Sequence, residues 1–181
     1  MLEYINAKTG NVVKREAPKN ESISYSGKMM ILETDIEGYI LYVNKRFIET
    51  SGYEKEELIG LPHCMHMHPE MPKDIFQDAC ELTLSGKIWN GYIKNIAKDG
   101  TAYWTETSIQ PKFCEEDKII GFMAVRREPK NSELENVMIE YEKLNSSDYS
   151  REKSQYCGEV YSGRALVISK SNPRRKLFII Y

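Results

Sequence analysis

Histidine and sulfur-bearing side chains are concentrated in one stretch of the chain, residues 61–72. All three histidines fall within six positions there, among other potential ligands: His63, Cys64, Met65, His66, Met67 and His68. Imidazole, thiolate and thioether groups ligate zinc or copper, and imidazole also ligates haem iron. Prolines at positions 62, 69 and 72 exclude the interior of a helix or strand. The stretch therefore predicts a shaped loop that either binds something or serves as an unusual linker.

A second set of informative side chains lies on a predicted strand, residues 88–96. Alternation along the strand puts Trp89, Gly91, Ile93 and Asn95 on one face. Trp89 offers a flat wall, and Gly91 leaves room for a planar ring against the sheet. The amide of Asn95 can both donate and accept hydrogen bonds. On the residues alone we favour a core tryptophan and an asparagine tied to a turn.

The last predicted strand of the sheet, residues 119–126, carries Phe122, Ala124 and Arg126 on one face. If that face lines a pocket, Arg126 is placed to sense charge on a bound group. The alternative is a surface arginine at the end of the strand.

These side chains are positioned by a predicted α+β domain with a five-stranded antiparallel sheet and short helices on one face. Two strands, residues 29–34 and 39–43, form a hairpin, and Asn44 caps a helix that ends at Gly52. A short helix ends at Gly60, and a longer one spans residues 72–85 with Pro72 at its first position. Three strands follow as a meander, and Pro111 ends the second of them.

Four segments are predicted along the chain. Residues 1–27 form a loose N-terminal arm with at most a short helix, and residues 28–130 form the domain. Residues 131–145 form a C-terminal signalling or docking helix that begins with a Ser132–Glu135 capping box. Its apolar positions favour packing on its own domain, with docking or a homodimer as the alternative: Leu134, Val137, Tyr141 and Leu144. Residues 146–181 form a basic extension whose role the sequence does not indicate.

Composition excludes several classes of function. The chain of 181 residues is 41% hydrophobic and 29% charged, with a net charge of −2 that gives no general attraction to nucleic acid. No leader or long apolar run is present, so we predict a cytoplasmic protein without direct membrane insertion. Phosphate-binding loops and nucleophile elbows are also absent, so we do not predict an enzyme.

The order of hairpin, short helices, longer helix and meander resembles the PAS family of sensor domains, over about residues 28–130. This resemblance rests on three segments: the hairpin at residues 34–44, Ser51-Gly52-Tyr53, and Glu56-Glu57-Leu58-Ile59-Gly60. One subgroup, the PAS domains of bacterial aerotaxis receptors, is similar in three further segments: His68-Pro69-Glu70-Met71-Pro72, Gly86-Lys87-Ile88-Trp89-Asn90-Gly91, and Lys94-Asn95 with Lys98-Asp99-Gly100 and Tyr103-Trp104.

Members of that subgroup bind FAD and report redox state or oxygen-linked respiration. The resemblance implies that His68 and Glu70 contact the cofactor, with His63 in the position of another histidine of the loop. It also implies that the strand face with Trp89 and Asn95 is a wall of the cofactor pocket. Arg126 is a further candidate for contact with the cofactor. A cap on the following helix is the structural alternative for His68 and Glu70.

The sequence departs from the subgroup at two positions. The subgroup usually reads Arg-His-Pro-Asp-Met-Pro, whereas here Met67 stands in place of the arginine and Glu70 in place of the aspartate. The glutamate keeps its charge, but the methionine cannot make any contact that the arginine makes to the cofactor.

The sequence therefore predicts a cytoplasmic redox or energy-taxis sensor. Non-covalent FAD would relay redox state to a chemoreceptor-like or kinase partner. One alternative is a cofactor-free PAS module for protein interaction or dimerisation. Another is a haem b gas sensor with one of the histidines as axial ligand. A zinc or copper site within the loop is a further alternative, although a closed site from six consecutive residues is geometrically awkward.

Overall fold

The structure is a computed structural model, and it describes residues 1–146 with the exception of positions 21, 24 and 26. Almost all of the predicted basic extension, residues 146–181, therefore lies outside the described residues. The two short strands that the sequence indicates at residues 165–168 and 177–180 lie outside them as well.

The predicted antiparallel sheet of five strands is confirmed. The strands of the chain are β1 (Leu2–Ile5), β2 (Val12–Arg15), β3 (Ser22–Ile23), β4 (Met30–Asp35), β5 (Ile40–Val43), β6 (Trp89–Ile96), β7 (Ala102–Phe113) and β8 (Ile119–Arg127). The main sheet has the order β5-β4-β8-β7-β6, and all neighbouring pairs are antiparallel. The two-residue strand β3 adds a sixth member, parallel to β7.

Strand β7 continues through Pro111 to Phe113, so the prediction that Pro111 ends this strand is wrong. The pairing with β6 ends at Ile109, opposite Trp89. Beyond that point β7 has a neighbour on one side only, which is where a residue without an amide donor is tolerated in a sheet.

Three helices pack with the sheet, and their ends follow local sequence signals. They are α1 (Lys45–Ser51), α2 (Lys55–Leu58) and α3 (Lys73–Leu84). The side chain of Asn44 accepts from the amide of Phe47 at the start of α1, and Gly52 ends α1 in the left-handed conformation, both as predicted. Pro72 is the N-cap of α3 rather than its first helical residue, so that prediction was displaced by one position.

The N-terminal residues form an antiparallel hairpin, β1–β2, in place of the predicted loose arm with at most a short helix. Asn6 fixes the hairpin to the domain, since its amide donates to the carbonyls of Glu57 (3.0 Å) and Ile59 (2.8 Å). Val13 and Arg15, two residues apart on β2, are both buried. Strands of only four residues each give too little alternation to predict this hairpin from sequence.

The C-terminal helix α4 (Asn131–Ser146) packs on its own domain, which is the interpretation that the sequence favoured. Tyr141 is buried and donates to the carbonyl of Tyr92 at 2.9 Å. The helix already includes Ser132, so the predicted capping box does not mark its first residue. Within the described part of the chain, every helix is too short or too polar to cross a membrane.

Candidate functional site

A cavity of about 60 Å³ lies between the sheet, α3 and the segment that precedes α3. We call residues 63–67 of that segment the histidine turn; it begins with a single 3₁₀ turn, His63–His66. Most of the cavity lining is apolar and comes from the sheet and α3. The polar side chains that line it are Thr34, His63, Cys80, Thr83, His66 and Arg126.

Arg126 and His66 form the polar end of the cavity. Phe122, Ala124 and Arg126 all line it, as predicted for one face of β8, and Arg126 is only 3% exposed, so the surface alternative is wrong. Arg126 Nη2 lies 2.7 Å from His66 Nε2. Because a guanidinium has no acceptor, Arg126 donates and His66 carries its proton on Nδ1. The ring of Phe47 packs against both side chains.

The charge on Arg126 is not balanced by a carboxylate. Among the described residues none forms an ion pair with it. Burial lowers the pKa of Arg126 to about 10, which leaves it cationic at neutral pH. Its Nε and Nη1 and the Nδ1 of His66 are buried without a hydrogen-bond partner. Unpaired buried donors are costly, so this end of the cavity is suited to a ligand with acceptor atoms or negative charge.

His63 presents the opposite hydrogen-bonding character. Its Nδ1 lies 3.0 Å from the carbonyl oxygen of Gly38, which can only accept, so Nδ1 donates and Nε2 keeps a lone pair. Burial lowers the pKa of His63 to about 4, and the ring is therefore neutral at pH 7. A neutral imidazole oriented by a carbonyl can accept a hydrogen bond from a ligand or coordinate an iron.

Asn95 is fully buried but does not line the cavity at its present volume. Its amide nitrogen donates to Thr105 Oγ1 at 3.0 Å and to the carbonyl of Ile93 at 3.1 Å. Its Oδ1 has no partner. The side chain is therefore tied to the neighbouring strand and not to a turn, as the structural interpretation had it, and it still has a free acceptor.

Trp89 fills the space that the sequence assigned to a bound ring. A Cβ built on Gly91 would lie 2.4 Å from Cη2 and Cζ2 of the indole, so the indole covers Gly91. The indole nitrogen donates to Asp78 of α3 at 3.0 Å. Trp89 thus joins β6 to α3 next to the cavity without lining it.

His68 and Glu70 lie outside the cavity lining. His68 is buried, its amide donates to the carbonyl of Lys94, and its Nδ1 accepts from the amide of Glu70. Glu70 is exposed and lies 2.5 Å from Lys94 Nζ. Asn145 of α4 donates to the carbonyl of Glu70 at 2.7 Å. These two residues therefore connect the loop to β6 and α4, and their contact with a cofactor stays a prediction.

Sequence reasoning missed several residues around the cavity. His66 is considered in the sequence only as a candidate metal or haem ligand, and Met67, Cys80 and Thr83 are not assigned to a pocket, yet all four line the cavity. The position of His66 inside a 3₁₀ turn turns its ring toward β8, and no spacing rule reveals that pairing. In the described part of the chain, the histidine turn included, no three histidine, cysteine or acidic side chains are placed to hold a metal ion.

The cavity fits a flavin in chemistry more closely than in size. Apolar walls suit a ring system, and the unpaired Arg126 donors and the free Asn95 Oδ1 suit its polar edge. A volume of about 60 Å³ is nevertheless small beside typical ligand pockets of roughly 300–1,000 Å³. A flavin ring therefore requires the cavity to widen, and Trp89 is the large side chain next to the available space.

The buried histidines predict a loss of stability in acid. Burial lowers the pKa of His63 and His68 to about 4 and lowers the pKa of His66 well below its ordinary value. The unfolded chain therefore binds more protons below about pH 6.5, so this contribution to stability is complete above that pH and lost below it. We expect the free energy of unfolding, measured with urea, to fall progressively as the pH is lowered from about 6.5 to about 4.

A matched variant tests the contribution of His66. The His66→Gln change keeps an acceptor for Arg126 without a titrating ring, and it should make the dependence of unfolding free energy on pH less steep. An unchanged pH dependence would show that His66 is not buried in its neutral form.

Comparisons with known proteins agree with this architecture. The sequence family described as the PAS fold matches residues 40–126. The chain is 37% identical to the aerotaxis receptor of Escherichia coli (strain K12) over 118 residues, which are 65% of this chain and 23% of the receptor. It is 25% identical to the nitrogen fixation regulatory protein of Klebsiella pneumoniae over 95 residues, which are 52% of this chain and 19% of that protein. The chain thus spans about a fifth to a quarter of these relatives.

A solved structure supports the fold independently. The light state structure of the blue-light photoreceptor Aureochrome1 LOV aligns with a TM-score of 0.56 at 17% identity, covering 61% of this chain and 89% of that chain. At this identity the likeness concerns the fold alone. Strand order, helix positions and the family match point the same way: residues 40–126 have the PAS fold, and the chain is similar to a part of the aerotaxis receptor.

Proposed function

We propose that this PAS domain is a redox sensor that binds FAD non-covalently in the cavity between β8, α3 and the histidine turn. The observation that carries the proposal is the unbalanced Arg126, whose unpaired donors stand at one end of an apolar cavity. The resemblance of the loop and of β6 to aerotaxis receptors, together with 37% identity to one of them, supports FAD as the ligand.

Each candidate residue has a distinct part in this proposal. A flavin supplies reversible reduction, and negative charge on its polar edge would be stabilised by Arg126 and His66. Asn95 offers its free Oδ1 to a ring N–H, and His63 offers its Nε2 lone pair. His68 and Glu70 hold the loop against β6, and the indole of Trp89 would close one side of the ring.

The contacts of the loop and of β6 with α4 offer a way for a change at the cavity to reach a partner. The carbonyl of Glu70 accepts from Asn145, and Tyr141 is bonded to the backbone of Tyr92, so α4 rests on the loop and on β6. A displacement of the loop would alter both contacts. We propose that α4 or the N-terminal hairpin then changes its docking to a cytoplasmic chemoreceptor-like or kinase partner, which requires a bias of only a few kcal/mol between two packings.

An absorption spectrum of freshly purified protein tests the proposal. A flavin spectrum that bleaches on reduction with dithionite supports it. A Soret band would instead indicate haem, for which the free Nε2 of His63 is the structural argument. A colourless protein that neither releases a nucleotide nor binds added FAD would rule out both ligands and leave an interaction or dimerisation module, consistent with the small cavity.

Asn95 provides a sharper test of the pocket. We expect Asn95→Ala to weaken FAD binding about tenfold, because the loss of one hydrogen bond in a buried site is worth roughly 1–1.5 kcal/mol. Asn90→Ala is the matched control, since Asn90 is exposed on the same strand. Equal flavin content in wild type and Asn95→Ala would place the ligand on another face.

A further inference from the structure

The histidine turn contacts two buried arginines, and only Arg126 lines the cavity. The other is Arg15, from β2 of the N-terminal hairpin, which is 3% exposed. Its Nη1 donates to the carbonyl of Met65 at 2.5 Å and makes a longer contact of 3.5 Å to the carbonyl of Met67. Arg126 reaches the turn through the side chain of His66, whereas Arg15 reaches it through the backbone.

Arg15 has little other reason to be buried. Among the described residues no carboxylate forms an ion pair with it, and its Nε has no hydrogen-bond partner. Its guanidinium lies 5.6 Å from the centre of the Tyr4 ring on β1. A buried cation is costly unless it is well bonded, so the two turn carbonyls are the main compensation that the structure provides.

The rest of the N-terminal hairpin contacts the end of α2 and Gly60, shortly before the histidine turn. Asn6 bonds to the carbonyls at the end of α2, and the amide of Ala7 donates to the carbonyl of Gly60 at 2.9 Å. A Cβ on Gly60 would lie 2.7 Å from both Asn6 Oδ1 and Lys8 Cβ, so this contact is close. The hairpin lies outside residues 40–126, the part of the chain that matches the PAS fold family. Its contact at Gly60 is nevertheless only a few positions before the histidine turn.

We propose that Arg15 is a positioning residue for the cavity: it holds the histidine turn in place, and ligand binding in the cavity therefore depends on the N-terminal hairpin. His66 and Met67 line the cavity on the same short turn whose carbonyls Arg15 holds. By linkage, a ligand that fixes the turn also stabilises the docked hairpin, which makes the hairpin a second place where a partner can act on the site.

The identity of the ligand rests on the proposed function, whereas the dependence of the turn on Arg15 does not. The test uses the full chain and two measurements. Amide hydrogen exchange of the protein without added ligand follows the turn directly, at Met65 and Met67, and also at His68, the residue that follows it. Titration with FAD, followed by flavin fluorescence, measures ligand binding.

Arg15→Met removes the donors and keeps a long apolar stem. We expect exchange of the turn amides to accelerate about tenfold while Leu32 and Ala124 in the central strands keep their protection. FAD affinity should fall about tenfold, as expected for loss of a charge-assisted hydrogen bond. Lys14→Met is the control, because Lys14 precedes Arg15 on β2 and pairs with Glu3 at the surface.

The possible results separate the two hypotheses. Unchanged turn exchange in a folded Arg15→Met protein overturns the positioning role, as does unchanged FAD affinity despite a loosened turn. If wild type binds no FAD but Arg15→Met loosens the turn, the proposed function fails and the positioning of the turn stands. Should Arg15→Met not fold, Arg15→Gln decides, because it removes the charge and shortens the side chain that carries the donor: faster exchange of the turn amides supports the role, and exchange equal to wild type overturns it.

Discussion

Replacing Arg126 with methionine should weaken FAD binding about tenfold or more, yet leave the unfolding free energy of the ligand-free protein within about 1 kcal/mol of wild type. These two effects are expected to separate because Arg126 is a buried cation that has no carboxylate partner among the described residues. In the ligand-free protein its desolvation is only partly compensated by His66 and the ring of Phe47.

Methionine has a similar length and no charge, so the substitution relieves that desolvation cost. It also loses the contact to Phe47 and leaves the Nε2 of His66 without a donor, which together cost roughly 1–3 kcal/mol and offset the gain. With FAD bound, the balance is different. Charge-assisted hydrogen bonds to the ligand are worth roughly 1.5–3 kcal/mol, and methionine cannot make them.

Urea denaturation and FAD titration of the same preparation measure both effects. Arg127→Met is the control, since Arg127 is the next residue of β8 but is exposed and pairs with Glu106. A stability loss well above about 1 kcal/mol in Arg126→Met would identify Arg126 as a structural residue. Unchanged FAD affinity would place the ligand's polar edge away from β8.

The elements of the PAS domain were predictable because their signals are local. Asn44 and Gly52 define α1 by capping chemistry, and alternation along β8 places Phe122, Ala124 and Arg126 on the cavity side. Each of these signals acts within a few residues. Their agreement along the chain is what made the resemblance to a sensor family informative.

The site was less predictable because its contacts join distant segments. Arg126 and His66 are sixty positions apart, and Arg15 and Met65 are fifty apart. No local pattern reports such pairs. The hairpin was missed for a related reason: β1 and β2 have only four residues each, and the buried face of β2 consists of one valine and one arginine, Val13 and Arg15.

Gly91 shows how a residue can be singled out correctly for an incomplete reason. Its lack of a side chain does leave room for a ring, and in the structure that ring is the indole of Trp89. A flavin bound at this face would therefore compete with Trp89 for the space. Because Trp89 is hydrogen-bonded to Asp78, a displacement of its indole would also affect α3.

Gly91→Ala is consequently expected to lower the free energy of unfolding by about 2–3 kcal/mol. The new Cβ would lie 2.4 Å from the indole, so Trp89 must leave its position and lose its bond to Asp78. A double-mutant cycle isolates this cause. In a Trp89→Ala background the same change should cost almost nothing, because alanine itself is favoured over glycine in a strand by roughly 0.5–1 kcal/mol.

Urea denaturation of the four proteins of the cycle gives the coupling energy, expected to be about 2 kcal/mol. FAD titration of the same proteins adds a separate result. If the flavin ring lies over Gly91, then Gly91→Ala weakens binding even in the Trp89→Ala background, where the indole no longer competes for the space. Should the stability cost of Gly91→Ala persist undiminished without the indole, then Trp89 is not what the glycine accommodates, because a close contact cannot cost energy after its partner has been removed.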